Sequence, residues 1–393
     1  MVSVSVEQAA SPSRDAAAPR RLLFIDNIRW TMILLVLSMH AVDTYSPFGN
    51  WYYRDRAPVG IGTALVFGVY QSFLQAFFMA LLFFIAGYFA AASYDRKGFR
   101  RFIADRAARL GIPTFLYMMA IGPLTQYFLS HSWGSGGFAR QWQTHLADGE
   151  WLSETGPMWF CAALLGFCLA YAGLRRLGLT EPRVAMAGGR RSAALAAGFI
   201  ALMAAAGFLI RLAEPEDAAV LNMHPGDFPQ YLLMFAAGTL ACRGDWLTGL
   251  PPRFCLAFAA AALLLAAPLF AALVLFGGAL AGRVAAYSGG LNLVSAGKCL
   301  WEALVCVGMS LLILSLYRAA FDRQGGVARW LSANAFGVYL IHPPILIAAA
   351  LLLHGIAVHP IPKAAALTLL ATAGSFAASA FVLRRLPLLR SIV

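Results

Sequence analysis

Long apolar segments alternate with short polar connections along most of the chain. We interpret as helices the segments at residues 28–45, 64–92, 107–130, 158–174, 192–212, 228–241, 254–276, 296–317, 331–353 and 362–383. Several exceed the roughly eighteen apolar residues that cross about 30 Å of hydrocarbon at 1.5 Å per residue. The pattern predicts an all-α polytopic membrane protein with about ten transmembrane helices. A membrane β-barrel would show short alternating strands instead.

Composition supports a membrane protein. The 393 residues are 60% hydrophobic and 12% charged, and the mean hydropathy is +0.70, which is more apolar surface than a soluble core of this size can bury. The six cysteines lie in or beside apolar segments without the spacing of metal ligands. We therefore expect buried thiols that act as small hydrophobic groups, and no metal site.

The chain starts with a polar segment. Residues 1–20 are rich in Ala and Ser and lack a continuous apolar stretch, so they resemble a disordered tail more than a signal peptide. We expect a disordered cytoplasmic tail at residues 1–20 and a single membrane domain at residues 21–393.

Basic residues occur in alternate connections. The net charge is +12, and most of the 30 Lys and Arg residues lie in every second connection and at both ends of the chain. The densest group consists of Arg96, Lys97, Arg100, Arg101, Arg106 and Arg109. The positive-inside rule then places both termini in the cytoplasm, and we expect a multi-pass protein of the inner membrane. Nucleic acid is not an expected partner, because the cations do not form one basic face.

Three ionisable residues interrupt the first apolar segment, DNIRWTMILLVLSMH. Asp26 precedes Arg29 by three residues and is able to pair with it. His40 lies eleven residues after Arg29, about 16 Å further along a helix and on nearly the same face. An ionisable group at membrane depth is a functional candidate by default. The alternatives are an interfacial arginine at Arg29 and a histidine at His40 that only joins two helices.

A second histidine lies at a similar depth in ANAFGVYLIHPPILIAA. His342 is about eleven residues into its helix, so it is able to face one cavity with His40. Pro343 and Pro344 follow and are expected to kink or open the helix. The alternative is that His342 only satisfies carbonyls that the prolines leave free.

One carboxylate lies well inside an apolar segment. Glu302, in KCLWEALVCVGMS, is a candidate site residue because a buried acid needs a partner. Lys298 is one helical turn away and offers a local ion pair as the alternative. Arg106 and Arg109 lie three apart in the second connection, where they suit phosphate groups or anionic lipid, or act only as a topology signal.

These residues carry a family resemblance. The chain resembles the integral-membrane acyltransferase 3 family over residues from about Arg21 to the C-terminus. The matching elements, in chain order, are Asp26, Arg29 and His40; FFIAGYF; Arg106, Arg109 and Pro113; the MWF start of a helix that contains Trp159; and Tyr339 with His342. Within the family the chain is similar to the glucan succinyltransferase branch. It departs from the family pattern at Ala86, where many members have Ser, and at Pro157, where many have His.

The resemblance implies an O-acyltransferase that moves an acetyl or succinyl group from cytoplasmic acyl-CoA to a hydroxyl of a carbohydrate or glycoconjugate at the outer side. Acyl-CoA is then a co-substrate rather than a resident cofactor. Arg29, Arg106 and Arg109 are expected to bind the donor, and His40, His342 and Glu302 to carry the chemistry. Asp26, Trp159 and Tyr339 are expected to support them.

Two alternatives belong to other classes. His, Glu and Arg inside a membrane also serve proton-coupled transporters or exporters, although no repeated halves are visible in the sequence. A scaffold without chemistry would not need ionisable groups at membrane depth. Within the enzyme class, direct transfer and an acyl-histidine intermediate both remain open.

Overall fold

A computed structural model describes residues 21–49, 51–55, 58–129, 137–149, 155–215 and 223–386. The tail expected at residues 1–20 lies outside these ranges. The described part is helical throughout, apart from its turns and connections. It confirms the predicted all-α class.

The α-helices are numbered in chain order. They are α1 (Leu23–Tyr45), α2 (Ile61–Gln75), α3 (Phe78–Arg106), α4 (Ile112–Leu116), α5 (Gly122–Leu129), α6 (Gly137–Ala147), α7 (Trp159–Arg176), α8 (Gly189–Ala213), α9 (Phe228–Gly244), α10 (Trp246–Gly249), α11 (Pro252–Phe276), α12 (Ala285–Ser288), α13 (Leu293–Ala320), α14 (Gly326–Leu352) and α15 (Pro360–Phe381). Single π-helical turns at Ala107–Gly111 and Tyr117–Ile121 join α3, α4 and α5.

Eight helical stretches of the described chain are long and apolar enough to cross a membrane. One of them, Ile61–Leu129, is 69 residues long and contains both the second and the third predicted segments. The α9 helix, with 17 residues, is not among the eight stretches. The chain is therefore a multi-pass membrane protein, as the hydropathy pattern predicts.

The second predicted helix is divided in two, because α2 ends at Gln75 and α3 begins at Phe78. At the break, the side-chain amide of Gln230 from α9 donates to the carbonyl of Ala76 at 2.6 Å, so a distant side chain satisfies the carbonyl at the end of α2. The α3 helix then runs on through the predicted connection to Arg106, with one non-helical residue at Gly98.

Two glycines allow α3 and α9 to touch backbone to backbone. A Cβ atom on Gly87, within FFIAGYF, would lie 2.1 Å from the carbonyl oxygen of Phe235. A Cβ on Gly238 would meet the carbonyl oxygen of Phe84 in the same way. Small residues at a helix crossing are how membrane helices approach closely. This crossing gives the glycine of FFIAGYF a structural role.

The α1 helix lies inside the bundle and packs against α13, α14 and α15. Phe24, Ile25, Ile28 and Leu37 are almost fully buried. At its start, Asn27 donates to the carbonyl of Phe321 at 2.7 Å. This packing places the end of α1, with His40, against the middle of α14, with His342.

Candidate active site

A cavity of about 1140 Å³ opens at the face of the bundle where α1 ends. Residues of α1, α2, α9, α11, α13 and α14, together with the segment after α1, form its wall. Its polar lining includes His40, Asp43, Gln71, Gln75 and Asp227. A large concave space with a few convergent polar groups is the expected form of a small-molecule site.

The imidazole of His40 lines this cavity and is oriented by Asp43. Nδ1 of His40 lies 3.2 Å from Oδ2 of Asp43, one turn further along α1. An ionised carboxylate only accepts hydrogen bonds, so neutral His40 carries its proton on Nδ1. The Nε2 atom then keeps its lone pair and is able to take a proton from a molecule in the cavity.

Asp43 is itself held in place. Gln71 of α2 donates to Oδ1 of Asp43, and Ser46 donates to Oε1 of Gln71 at 2.8 Å. All three side chains are buried. Gly49 follows with φ of +83°, and a Cβ there would lie 2.7 Å from Oδ1 of Asp43. The position therefore needs glycine for its backbone conformation and for space.

Two aromatic rings lie against His40. Trp51 stacks on it with ring centroids 3.9 Å apart and 14° between the planes. His342 is nearly parallel to it at 5.5 Å. The two histidines that the sequence placed at similar depth are therefore neighbours. The Trp51 stack joins α1 to a segment that the hydropathy pattern left unassigned.

The segment after α1 is tied down at several points. Asp55 pairs with Lys363 of α15 at 2.9 Å, and the hydroxyl of Tyr53 bonds to Nδ1 of His354 at 3.0 Å. Burial and the charge of Asp55 raise the pKa of the Tyr53 hydroxyl, so it stays neutral. These contacts keep Trp51 on the ring of His40.

His342 is fully buried in α14. Its Nδ1 atom lies 2.8 Å from the carbonyl oxygen of Tyr339, the carbonyl that Pro343, which has no N–H, leaves free. A carbonyl only accepts, so the proton is on Nδ1. The Nε2 atom has no hydrogen-bond partner among the described residues. The α14 helix continues through Pro343 and Pro344, so the helix does not open at the prolines.

Tyr339 and Trp159 both line the cavity. The hydroxyl of Tyr339 donates to the carbonyl of Pro157, which belongs to the turn before α7. Trp159 begins α7 and packs against Tyr231 with ring centroids 5.4 Å apart. The departure from the family pattern at Pro157 therefore falls on the cavity wall itself.

Glu302 lies in a buried ionic cluster. Arg211 of α8 donates to Glu302 at 2.7 Å and to Asp227 at 2.8 Å. Lys298 lies 3.6 Å from Glu302, which is the local pair that the sequence offered as an alternative. Asp227 and Lys298 line the main cavity, whereas Glu302 lines a small pocket beside it. The cluster thus joins three elements behind one wall of the cavity.

The three arginines lie at the opposite face and line no part of the cavity. Arg29 pairs with Asp26 at 3.3 Å, and its guanidinium lies 4.8 Å from the ring centroid of Phe89. Arg109 pairs with Asp105 at 3.0 Å and its side chain is 63% exposed. Arg106 packs over the ring of Phe102. The α1 helix is continuous from Arg29 to His40, which corresponds to about 16 Å along its axis.

Sequence reasoning missed four residues of this site: Asp43, Trp51, Gln71 and Arg211. The spacing of His40 and Asp43, three residues apart on one helix, was a readable signal. The isolated arginine in the last turn of the apolar helix α8 was a second. Nothing local in the sequence relates Trp51 or Gln71 to His40.

Comparison with known proteins identifies a family for the chain. The acyltransferase domain of the acyltransferase 3 family matches residues 22–380, nearly the whole chain. Searches of curated proteins and of solved structures found no match. The match covers the elements that carry the cavity, from His40 to His342. The chain therefore belongs to the acyltransferase 3 family and is a membrane-embedded acyltransferase.

Proposed function

We propose that the protein transfers an acetyl or succinyl group from acyl-CoA to a hydroxyl of a carbohydrate or glycoconjugate, from the cytoplasmic to the outer side of the inner membrane. The observation that supports this most strongly is His40, which lines the large cavity with Asp43 on its Nδ1 atom. An imidazole oriented by a carboxylate on the wall of a substrate space is suited to act as a general base.

The proposed reaction balances around Nε2 of His40. The acceptor hydroxyl gives its proton to Nε2 while its oxygen attacks the thioester carbonyl and forms the new C–O bond. The tetrahedral intermediate collapses with cleavage of the C–S bond, and the thiolate of CoA takes the proton from the imidazolium. Asp43 stabilises the imidazolium between these steps, because its carboxylate accepts from Nδ1. In the acyl-histidine variant, Nε2 attacks the thioester first, the C–S bond breaks and the CoA thiolate leaves. The acceptor oxygen then attacks the acyl-imidazole, the C–N bond breaks to release Nε2, and the acceptor proton goes to the thiolate.

The donor site that we propose is the arginine group at the other face. Guanidinium groups suit the phosphates of CoA because they donate in pairs. An extended pantetheine arm has a reach comparable to the roughly 16 Å of helix between Arg29 and His40.

The other site residues have supporting roles in this proposal. His342 is fully buried beside His40 and does not line the cavity, and we propose that it helps to orient His40. Glu302 positions Lys298 and Arg211 and thereby the wall that carries Asp227. Asp26 orients Arg29, and Tyr339 holds the turn before Trp159. A glucan is the specific acceptor suggested by the sequence resemblance to the glucan succinyltransferase branch.

The test uses membranes that contain the protein, with acetyl-CoA and succinyl-CoA labelled in the acyl group. We expect label in the carbohydrate or glycoconjugate fraction with wild-type protein, and none with His40→Ala. Label that stays on the protein after the acceptor is removed supports the acyl-histidine route. Label that crosses the membrane without covalent change would show a transporter and reject the proposal.

A further inference from the structure

One face of α2 lines the cavity along its whole length. The residues on this face are Ile61, Ala64, Leu65, Gly68, Val69, Gln71, Ser72 and Gln75. Their character changes along the helix: the first two turns are apolar or small, and the last turn is polar. Position along α2 therefore separates an apolar part of the cavity from a polar part.

The polar part coincides with the proposed reaction centre. Gln71 bonds to Asp43, which orients His40. Gln75 donates to Asp227 at 3.2 Å, and Asp227 pairs with Arg211. This polar part of the cavity offers hydrogen-bonding partners to the hydroxyl-bearing head group of a substrate.

The apolar part lies between α2 and the region around α12. Ile61, Leu65 and Val69 of α2 line the cavity and are exposed at 65%, 36% and 46%. Leu280 and Val284 line it from the other side and are exposed as well. The three α2 residues belong to one candidate membrane-spanning stretch, Leu280 lies at the end of another, and Val284 follows just after it. An opening with such walls favours hydrocarbon over a hydrated sugar chain.

The α2 helix is well suited to form one side of an entrance. Only Phe67, Gln71 and Leu74 of its fifteen residues are buried, and it packs mainly against α1 and α3. Among the described residues, other helices leave the cavity side of the first turns of α2 largely uncovered. A molecule in the bilayer has lateral access to the cavity along this side.

We infer that the acceptor is an amphiphile, such as a glycolipid, whose sugar lies on the polar floor at His40 while its hydrocarbon chain lies between α2 and the region around α12. This inference rests on the proposed function, because it takes His40 as the reaction centre. It narrows the acceptor from any carbohydrate to one with a hydrocarbon chain. The donor approaches from the arginine face, so the apolar part of the cavity is left to the acceptor.

Matched acceptors test the inference. Dodecyl maltoside, kept below its micelle concentration, and free maltose present the same sugar with and without a chain. With purified protein in nanodiscs and labelled acyl-CoA, we expect the alkyl glycoside to accept the label, or to compete with the native acceptor of a membrane extract, at least about tenfold better than maltose. The advantage should grow from octyl to decyl to dodecyl chains.

Two substitutions in α2 form a matched pair. Leu65→Asn places an amide in the apolar part of the cavity, and we expect a KM for dodecyl maltoside at least about tenfold higher with little change in kcat. Val66→Asn is the control, because Val66 is 50% exposed but does not line the cavity. It should keep the wild-type KM.

The outcomes distinguish the proposed acyl transfer from the narrower inference of an amphiphilic acceptor. Transfer to maltose as good as to the alkyl glycoside, with activity lost in His40→Ala, would overturn the amphiphilic acceptor and leave the acyltransfer proposal standing. Equal effects of Leu65→Asn and Val66→Asn would overturn it too. A Leu65→Asn defect that appears only with long-chain acyl-CoA would assign the apolar part to the donor instead. Absence of acyl transfer to any acceptor would reject the proposed function and this inference together.

Discussion

Oδ2 of Asp43 lies 3.2 Å from Nδ1 of His40, and the opposite oxygen of the same carboxylate accepts from Gln71. The carboxylate is thus fixed between an imidazole and an amide, and it determines which nitrogen of His40 carries the proton. The hydrogen bond made by one ring nitrogen of a histidine decides whether the other nitrogen is able to act as a base.

The Asp43→Asn variant tests this relationship. The amide of Gln71 donates toward Oδ1, so the carbonyl of the new Asn should occupy that place and its NH2 group should face His40. An NH2 group only donates, so Nδ1 must accept and the proton must move to Nε2. We expect the transfer rate per folded protein to fall about 10²- to 10⁴-fold, the usual loss when a general base is removed.

The control for this variant is Asp245→Asn. Asp245 lies between α9 and α10 and accepts from Thr248, away from the cavity lining. Its substitution should leave the rate unchanged. A wild-type rate in Asp43→Asn would mean that the carboxylate does not set the proton position of His40.

Much of the fold follows from local pattern. Hydropathy identifies most membrane-spanning segments. Each such segment must satisfy its backbone hydrogen bonds within its own helix, so its position depends on local sequence alone. Helix geometry is equally local, so the distances of His40 and His342 from their helix starts indicated their similar depth. The Lys298–Glu302 pair, one helical turn apart, follows from the same geometry.

The remainder depends on contacts between distant parts of the chain. The break after α2 involves Gln230, which is 154 residues away from Ala76 in sequence. Arg211 and Glu302 are 91 residues apart, and the ring of Trp51 reaches His40 only because the segment after α1 folds back. Such pairs result from packing between helices, and a single sequence has no local signal for them.

The crossing of α3 and α9 predicts a steric effect at Gly87. Gly87→Ala would place a methyl group 2.1 Å from the carbonyl oxygen of Phe235, so the helices must separate. We expect a loss of about 1–3 kcal/mol in stability, the usual cost of overpacking. Thermal unfolding in detergent should show a lower midpoint and less monodisperse protein.

Gly166→Ala is the matched control for the crossing. Gly166 lies inside α7, and a Cβ there meets nothing within 4 Å. This change should be neutral or slightly stabilising, because alanine favours helix. Similar stability of the two variants would show that the Gly87 crossing tolerates a methyl group.

A labelling experiment tests the predicted orientation, in which both termini lie in the cytoplasm. Val327 lies in the first turn of α14 and Val358 lies in the connection between α14 and α15, and they are 74% and 49% exposed. With an impermeant thiol reagent, Val358→Cys should be labelled in intact cells, and Val327→Cys only after the cells are opened. The wild-type protein is the control, since five of its six cysteines are buried and Cys242 is partly so. The reverse pattern would invert the topology.

The proposed donor site predicts weaker binding of acyl-CoA in Arg29→Ala and Arg109→Ala. Both side chains are partly exposed at the arginine face. A hydrogen bond to a charged group contributes about 1.5–3 kcal/mol, so each variant should bind at least about tenfold more weakly in calorimetric titration. Arg283→Ala, an exposed arginine near α12, should bind normally. Unchanged affinity in both donor-site variants would exclude these arginines from the site.

We expect substitutions in the ionic cluster of Arg211, Asp227 and Glu302 to lower the stability of the protein more than the transfer rate of the molecules that fold. Arg211→Leu leaves Asp227 and Glu302 buried without the guanidinium that pairs with both, and breaking a buried pair in this way costs about 3–5 kcal/mol. We expect little folded protein from Arg211→Leu.

The Glu302→Gln variant is milder, because the amide oxygen still accepts from Arg211 and Asp227 keeps its ion pair. This variant should fold with a lower thermal midpoint and keep most of its transfer rate per folded molecule, because Glu302 acts through Arg211 and Lys298 and does not line the main cavity. A Glu302→Gln protein as stable as wild type but slower by a hundredfold or more, in the general-base range of about 10²- to 10⁴-fold, would instead place the carboxylate in the chemistry.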